Sequence, residues 1–379
     1  MFAPALAAIS AAEMVLLRED NVPFLGMVKI AFSQGFRVFF VAHYRRVKTT
    51  SILTTNRRFC STVNLCLHLC LLEPALQSFD QFIEDNHFGG GRAHLTLRRL
   101  DLIHPWINGN KWFKLKYNLL QAQQHESRTL LTLGGAWSNH LHAVAAAGWL
   151  HGIKTIGVVR GERPNHWSHT LEFAASCGMH LHFIDREAYG LRGMEEFRPW
   201  LHDQFGSFHF VPEGGSNFLG VNGAMEILGP GDQQQWDVIA CPAGTGATAA
   251  ALALQLGKHQ RLMVFPVLRN GGGLRENMER YLWEFLSDPD EIASVMGQVI
   301  IEESYHFGGF GKWNESLIQF ILNYQVGHAV PLDQVYTGKM MAGLYDLAAQ
   351  NRFAPGTRIL AIHSGGLQGR HSEPRLILT

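Results

Sequence analysis

From about Leu72 onward, apolar residues form short unbroken runs that alternate with stretches where they recur every three or four positions. A short helix is predicted from Glu73-Pro74 to about Asn86, and Leu95-Thr96-Leu97 reads as a strand. After the break at Asn108-Gly109-Asn110, Trp112, Leu115, Leu119 and Leu120 recur at helical spacing within residues 111–124. The same order repeats, with a strand over 130–133 and a helix over 138–150, then a strand over 154–159 and a helix over 169–176. A strand over 180–184 closes the run. A second series has a buried strand at 236–240, a loop at 241–246, a helix over 247–256 and a strand over 262–267. Residues 271–313 are less regular. Helices over 315–324 and 339–350 precede a last strand, 358–362, that ends in Ser364-Gly365-Gly366. Strands alternating with helices predict an α/β protein of two open, twisted, mostly parallel sheets covered by helices. Glycines at the strand ends put a ligand in the crevice between the two lobes. The expected boundaries are a large domain of residues 72–112 and 222–379, a small α/β domain of residues 113–221, and an N-terminal extension of residues 1–71 that is poorly ordered or not a domain.

Composition narrows the function. The chain has 379 residues, 46% of them hydrophobic, which is enough apolar material for two domains' worth of core. Lys+Arg and Asp+Glu both number 32, so no whole-chain basic field gathers nucleic acid, and a small-molecule partner is expected instead. The balance hides an asymmetry. Between Asn21 and Leu72 there is no acidic residue, while Lys29, Arg37, Arg45, Arg46, Lys48, Arg57 and Arg58 give a formal +7. Such a leader suits an organellar transit peptide, yet Glu13, Glu19 and Asp20 stand where those peptides avoid acids, and a poorly ordered extension is the plainer reading. Its longest apolar run, Val38 to Ala42, is too short to span a bilayer, so no membrane partner is expected. Cys60, Cys66, Cys70, Cys177 and Cys241 are odd in number and lack C-x-x-C spacing, which predicts a reducing, cytoplasmic setting and no metal site. His87, His94, His104, His142 and His306 show no ligand spacing either. His363, at the end of a core strand, is the one expected near a ligand.

Two places carry chemistry. Ala243-Gly244-Thr245-Gly246-Ala247-Thr248 lies between a buried strand and an alanine-rich helix, so its backbone N–H groups and two threonine hydroxyls converge as an anion site. It matches neither G-x-x-x-x-G-K-[ST] nor G-x-G-x-x-G, so a single phosphate fits better than a nucleotide. Glycines that serve only close helix–strand packing remain the alternative. A cofactor with one phosphate and a need for a lysine amine is pyridoxal phosphate. Lys111, directly after the Asn108-Gly109-Asn110 break, stands where a helix dipole helps lower an amine's pKa. Against this, it could be one of three ordinary helix lysines. Lys114 and Lys116 are expected as solvated surface residues, and Arg160 as a strand-end charge or a substrate contact.

Five motifs occur in order: Asn110-Lys111-x-x-Lys114-Leu115, Gly134-Gly135-Ala136-Trp137-Ser138-Asn139-His140, the Gly244 to Thr248 loop, Val335-Tyr336-Thr337-Gly338-Lys339 and His363-Ser364-Gly365-Gly366. Over roughly residues 72–376 the chain resembles the 1-aminocyclopropane-1-carboxylate deaminase and D-cysteine desulfhydrase family, pyridoxal-phosphate enzymes of the tryptophan synthase β-like fold, called fold type II. The resemblance implies that Lys111 holds the cofactor's aldehyde and then moves protons at Cα. It implies that Asn139 bonds the ring oxygen, that Gly244, Thr245, Gly246, Ala247 and Thr248 cup the phosphate, and that Ser138, Asn139 and His140 take the substrate carboxylate. Tyr336 is implied as an acid or base, with a buried structural phenol as its alternative. Deaminases of the family carry Glu and Leu where this chain has Thr337 and Ser364. Hydroxyls at the ring nitrogen make a weaker electron sink than a carboxylate, which tilts the expectation toward D-cysteine desulfhydrase, with the deaminase as the alternative. Relatives often place Tyr in the loop where Phe310 stands, so Tyr305 is the candidate substitute at the substrate, and a cofactor-binding protein without lyase activity is a further alternative. The family also implies a homodimer.

Overall fold

The computed structural model describes residues 26–31, 37–42 and 79–377 apart from 87. Two compact units divide the chain, residues 1–60 and 61–379. Within the first, strands β1 (Gly26–Ala31) and β2 (Arg37–Ala42) pair antiparallel, from Gly26 opposite Ala42 to Ala31 opposite Arg37. These strands lie in the basic segment, whose sequence shows no sustained strand or helix period. Val38 to Ala42, noted above only as an apolar run, makes up most of β2. The remainder of residues 1–71, with Cys60, Cys66 and Cys70, and the expected helix start at Glu73, lie outside the described residues.

The second unit contains β3 (Asp80–Ile83), β4 (His94–Arg99), β5 (Thr129–Gly135), β6 (Lys154–Arg160), β7 (His180–Ile184), β8 (His209–Val211), β9 (Val238–Ala243), β10 (Arg261–Pro266), β11 (Val299–Ile301) and β12 (Arg358–His363). They form a six-stranded sheet in the order β11-β10-β9-β12-β4-β3 and a four-stranded sheet in the order β7-β6-β5-β8. Every pairing in these sheets is parallel except β3 with β4. Central strands such as β5 and β12 are buried along nearly their whole length, the mark of a parallel sheet covered on both faces. The helices that position the site are α1 (Asn110–Gln124), α2 (Asn139–His151), α3 (His169–Ser176), α4 (Ala247–Ala253), α5 (Leu274–Leu286), α6 (Pro289–Met296), α7 (Glu315–His328) and α8 (Thr337–Ala349).

Three departures have physical causes. The expected helix up to Asn86 is instead, over Asp80–Ile83, the edge strand β3. Long-range bonds hold it there: Arg98 Nε and Nη2 each donate to Asp80 at 2.7 Å, and Arg99 Nη1 donates to Gln81 at 2.7 Å. Residues 271–313, expected to be irregular, hold α5, α6 and β11. The start of α6 was legible as Asp288-Pro289, because the Asp288 carboxylate accepts from the backbone N–H groups of Asp290 and Glu291 and proline suits the first helical position. Strand β8 has three residues, too few to show a period, and it joins the small sheet beside β5, at the edge opposite the expected closing strand β7.

Arg98 is fully buried. Besides Asp80, its guanidinium donates to Asp232 Oδ2 at 2.7 Å, Asp232 Oδ1 at 2.9 Å and the Ile227 carbonyl at 2.9 Å. Asp232 also accepts from Trp236 Nε1 and from the Gly229 N–H, so one buried ion cluster ties the β3–β4 edge to the segment leading into β9. Among the described residues no helix is long and apolar enough to cross a membrane, and no group of three or more His, Cys, Asp or Glu is placed to hold a metal ion.

Candidate active site

The carboxyl ends of β4, β5, β9 and β12 lead into segments that carry four of the five motifs, where ligands of open α/β sheets bind, and the remaining motif, Val335 to Lys339, opens α8. At Gly109, φ is +66° and an added Cβ would collide with the Ser364 carbonyl, so glycine alone lets the turn before α1 lie against the end of β12. Asn110 N–H donates to that same carbonyl at 3.2 Å. Lys111 follows on the first turn of α1, half-buried, with Nζ 3.3 Å from the Gly214 carbonyl. Lys114, one turn further, is only 1% exposed and donates to the same carbonyl at 2.8 Å and to Ser216 Oγ at 3.4 Å. Lys116 pairs with Glu226 at 2.7 Å. Neither Lys114 nor Lys116 is therefore the solvated surface residue that their sequence context suggests.

Two amines on one carbonyl in a dry pocket cannot both stay charged cheaply. Burial pulls Lys111 down to about 8, although the Glu213 carboxylate works in the other direction. Burial and then the charge of Lys111 hold Lys114 well below an ordinary amine. His140 is pushed well down by burial and by both lysines. Its two ring nitrogens are buried without hydrogen-bond partners, as is Asn139 Oδ1. The side-chain amide of Asn139 lies where a Cβ on Gly366 would stand, so the glycine pair after β12 leaves it room. Ser138 caps α2, its Oγ accepting from the Leu141 N–H at 3.2 Å.

The glycine loop is tied to the lysine turn from two sides. Asn110 Nδ2 donates to Thr248 Oγ1 at 3.0 Å, and Thr245 Oγ1 lies 2.6 Å from Ser216 Oγ, itself bonded to Lys114. Gly246 has φ +87° and packs against Leu274, while Gly244 faces Tyr336, whose hydroxyl would be 3.6 Å from an added Cβ. Ala247 opens α4 in the core beside it. Burial first, then the charges of Asp333 and Glu213, push the Tyr336 phenol up, so it is held protonated. Phe310 stands edge-on to the Tyr336 ring at 6.1 Å and is half exposed. Lys339, also in the fourth motif, donates to the His306 and Gly309 carbonyls and so holds the Phe310 loop in place.

Two expected residues have other employment. The Thr337 hydroxyl donates to Asp333 Oδ1 at 2.7 Å and accepts from the Asp333 N–H at 3.0 Å, so both of its directions are used inside the turn before α8. Ser364, half-buried at the end of β12, is the hydroxyl that remains. Tyr305 donates to Asp346 at 2.7 Å and packs on Phe265. Asp346 lies nine residues along α8 from Thr337, about 13 Å at 1.5 Å per residue, so the structure does not bring the Tyr305 hydroxyl to the cluster. The sequence reading missed the loop Glu213-Gly214-Gly215-Ser216, although its paired glycines were visible. It also missed Asp333, whose carboxylate receives the N–H groups of Val335, Tyr336 and Thr337 and so positions the tyrosine.

No protein-family model matches the chain. It is similar to the D-cysteine desulfhydrase of Klebsiella pneumoniae, 28% identical over 74% of this chain and 88% of that protein. It is also similar to the bifunctional D-cysteine desulfhydrase/1-aminocyclopropane-1-carboxylate deaminase, mitochondrial, of Arabidopsis thaliana, 26% identical over 74% of each. A solved structure described as an ACC deaminase homologue superposes with a TM-score of 0.66 at 26% identity, covering 82% of this chain and 98% of that one. A pyridoxal 5'-phosphate-dependent aspartate racemase, 15% identical with a TM-score of 0.54, shares the fold, which is fold type II.

Proposed function

We infer that this chain, a member of the 1-aminocyclopropane-1-carboxylate deaminase and D-cysteine desulfhydrase family, is a pyridoxal-phosphate-dependent lyase of small amino acids with D-cysteine as its substrate. The observation that carries the reading is the pair of bonds, Asn110 to Thr248 and Ser216 with Thr245, that closes the lysine turn and the threonine-bearing glycine loop around one space. A buried amine brought down to about 8, an unpartnered Asn139 oxygen and an unpartnered His140 ring border that space and suit such a cofactor. Pyridoxal phosphate supplies, when bound, an electron sink for the pair left behind when a Cα–H bond breaks. On this reading Lys111 holds the aldehyde and afterwards moves the Cα proton. Residues Gly244, Thr245, Gly246, Ala247 and Thr248 hold the phosphate, Asn139 the ring oxygen and Ser364 the ring nitrogen. Ser138, Asn139 and His140 take the carboxylate, and the protonated Tyr336 donates toward the leaving group.

The net reaction is D-cysteine plus water giving pyruvate, sulfide and ammonia. The deaminase reading, the cyclopropane amino acid plus water giving 2-oxobutanoate and ammonia, is the alternative. With Thr337 occupied by Asp333 and Ser364 a neutral hydroxyl, no carboxylate is supplied from either position, which favours the elimination that asks less of the sink. Sulfide release from D-cysteine is expected to exceed 2-oxobutanoate release by at least ~10-fold in kcat/KM. The reverse ratio assigns the deaminase, and silence on both substrates sinks the reaction altogether.

Lys111 also sets a pH dependence. Its neutral amine is the nucleophile, and its pKa is lowered from 10.5 to about 8. Cofactor uptake by the cofactor-free protein should therefore quicken about tenfold per pH unit on the acid side and level off above about 8. A rate still climbing at the pH of an ordinary lysine would mean that the reacting amine is solvated.

A further inference from the structure

Strand β6 ends in Arg160, paired in register with Gly135 at the end of β5. Beyond it lies a cavity of about 320 Å³ lined by Arg160, Arg186, Tyr189, Gly190 and Arg192. The guanidinium groups of Arg160 and Arg192 sit 5.8 and 5.0 Å from the centre of the Tyr189 ring. Tyr189 is 1% exposed, and its buried hydroxyl lies under the influence of the Glu213 carboxylate. Arg192 is matched by Glu213 at 3.2 Å. Among the described residues neither Arg160 nor Arg186 has a carboxylate partner, and the nearby Asp185 accepts from the Ala188 N–H. The cavity thus gathers two unmatched positive charges. Like charges held together repel unless an anion joins them.

We propose that this cavity is an oxyanion site, one that takes a phosphate-class dianion or the second acidic group of an amino acid. Two guanidinium forks match the acceptor-rich, planar or tetrahedral oxygens of such a group. The site borders the reacting centre without belonging to it. An adjoining cavity of about 520 Å³ shares Arg160 and Arg186 and reaches Ala136, two residues before Ser138. Glu213, which holds Arg192, precedes the Gly214 carbonyl that receives both lysines. The acidic-substrate source rests on the lyase reading above, whereas anion binding itself does not.

The test uses the full chain loaded with pyridoxal phosphate, so that the glycine loop is filled, and inorganic phosphate as the probe in equilibrium dialysis. Arg160→Gln and Arg186→Gln, both exposed and therefore safe for folding, should each weaken phosphate binding about tenfold. Equal affinity in the wild type and both arginine variants, or no measurable binding, overturns the site. A second arm follows keto-acid formation from D-cysteine and from an amino acid with a second acidic group. If phosphate raises KM for the acidic amino acid alone, and Arg186→Gln removes that effect, the natural occupant is a substrate's acidic group. If phosphate binds and neither KM moves, the occupant is a free anion. Loss of all keto-acid formation would end the lyase reading and leave the dialysis result standing.

Discussion

Lys111→Ala is expected to abolish the absorbance near ~420 nm that a lysine-linked cofactor gives, and to lower keto-acid formation by at least ~10³-fold. The reason is positional. Two lysines, half-buried Lys111 and buried Lys114, compete for the same Gly214 carbonyl, and their chemistry differs only in surroundings. Lys114 donates at the shorter distance and has Ser216 as a second neighbour, whereas Lys111 sits directly beside Asn110, the residue bonded to the glycine loop. Lys114→Met should therefore keep the band, with its position or intensity altered because a polar amine next to Lys111 is gone. Borohydride followed by peptide mapping locates the modified amine. Retention of the band in the Lys111 variant together with its loss in the Lys114 variant would reverse the assignment.

Asp232→Ala should destabilise the fold by about 3 kcal/mol, the scale expected when one partner is removed from a buried ion pair. Arg98 cannot reach water, and Asp80, the partner that remains, lies at the edge strand with a side chain 12% exposed. Two further donors, the Trp236 indole and the Gly229 N–H, lose their acceptor in the same change. Urea denaturation would show a lower midpoint with an unchanged slope. Replacing both charges, Arg98→Met with Asp232→Asn, should recover part of the loss, because no buried cation is left short of a partner and Asp80, at the edge strand, still reaches water. A midpoint unchanged in Asp232→Ala would mean that Asp80 alone satisfies the guanidinium. Burial raises the Asp232 carboxyl, and the bonds and charge of Arg98 outweigh this and leave it lowered from 3.8. Its contribution is accordingly present at neutral pH and lost in acid, as the pH falls through the lowered value.

Much of the candidate site stands at places that are visible along the chain. Lys111, Ser138, Asn139, His140, the loop from Gly244 to Thr248, Tyr336 and Ser364 each stand at a junction of a strand or turn with a helix, and such junctions announce themselves through glycine and a change of period. The residues that escaped notice share a different property. Lys114 looked like a surface lysine because nothing local shows that Gly214, a hundred positions away, supplies its acceptor. Thr337 looked free because its partner Asp333 belongs to a turn that only coordinates reveal. Tyr305 was chosen as the nearest phenol in sequence, and helix α8 carries its partner Asp346 away from the reacting end.

Periods of hydrophobicity and turn residues by themselves determined the alternation of strands and helices, the parallel α/β class and the loops that bear the motifs, because those signals depend on neighbours within one turn or one strand. Tertiary structure alone decided that Asp80 to Ile83 is an edge strand, that Lys111 and Lys114 share one carbonyl, which hydroxyl is already spent, and that three arginines meet around Tyr189. Each of these depends on partners far apart in the chain, and a buried charge or donor takes its state from whichever group the fold sets beside it.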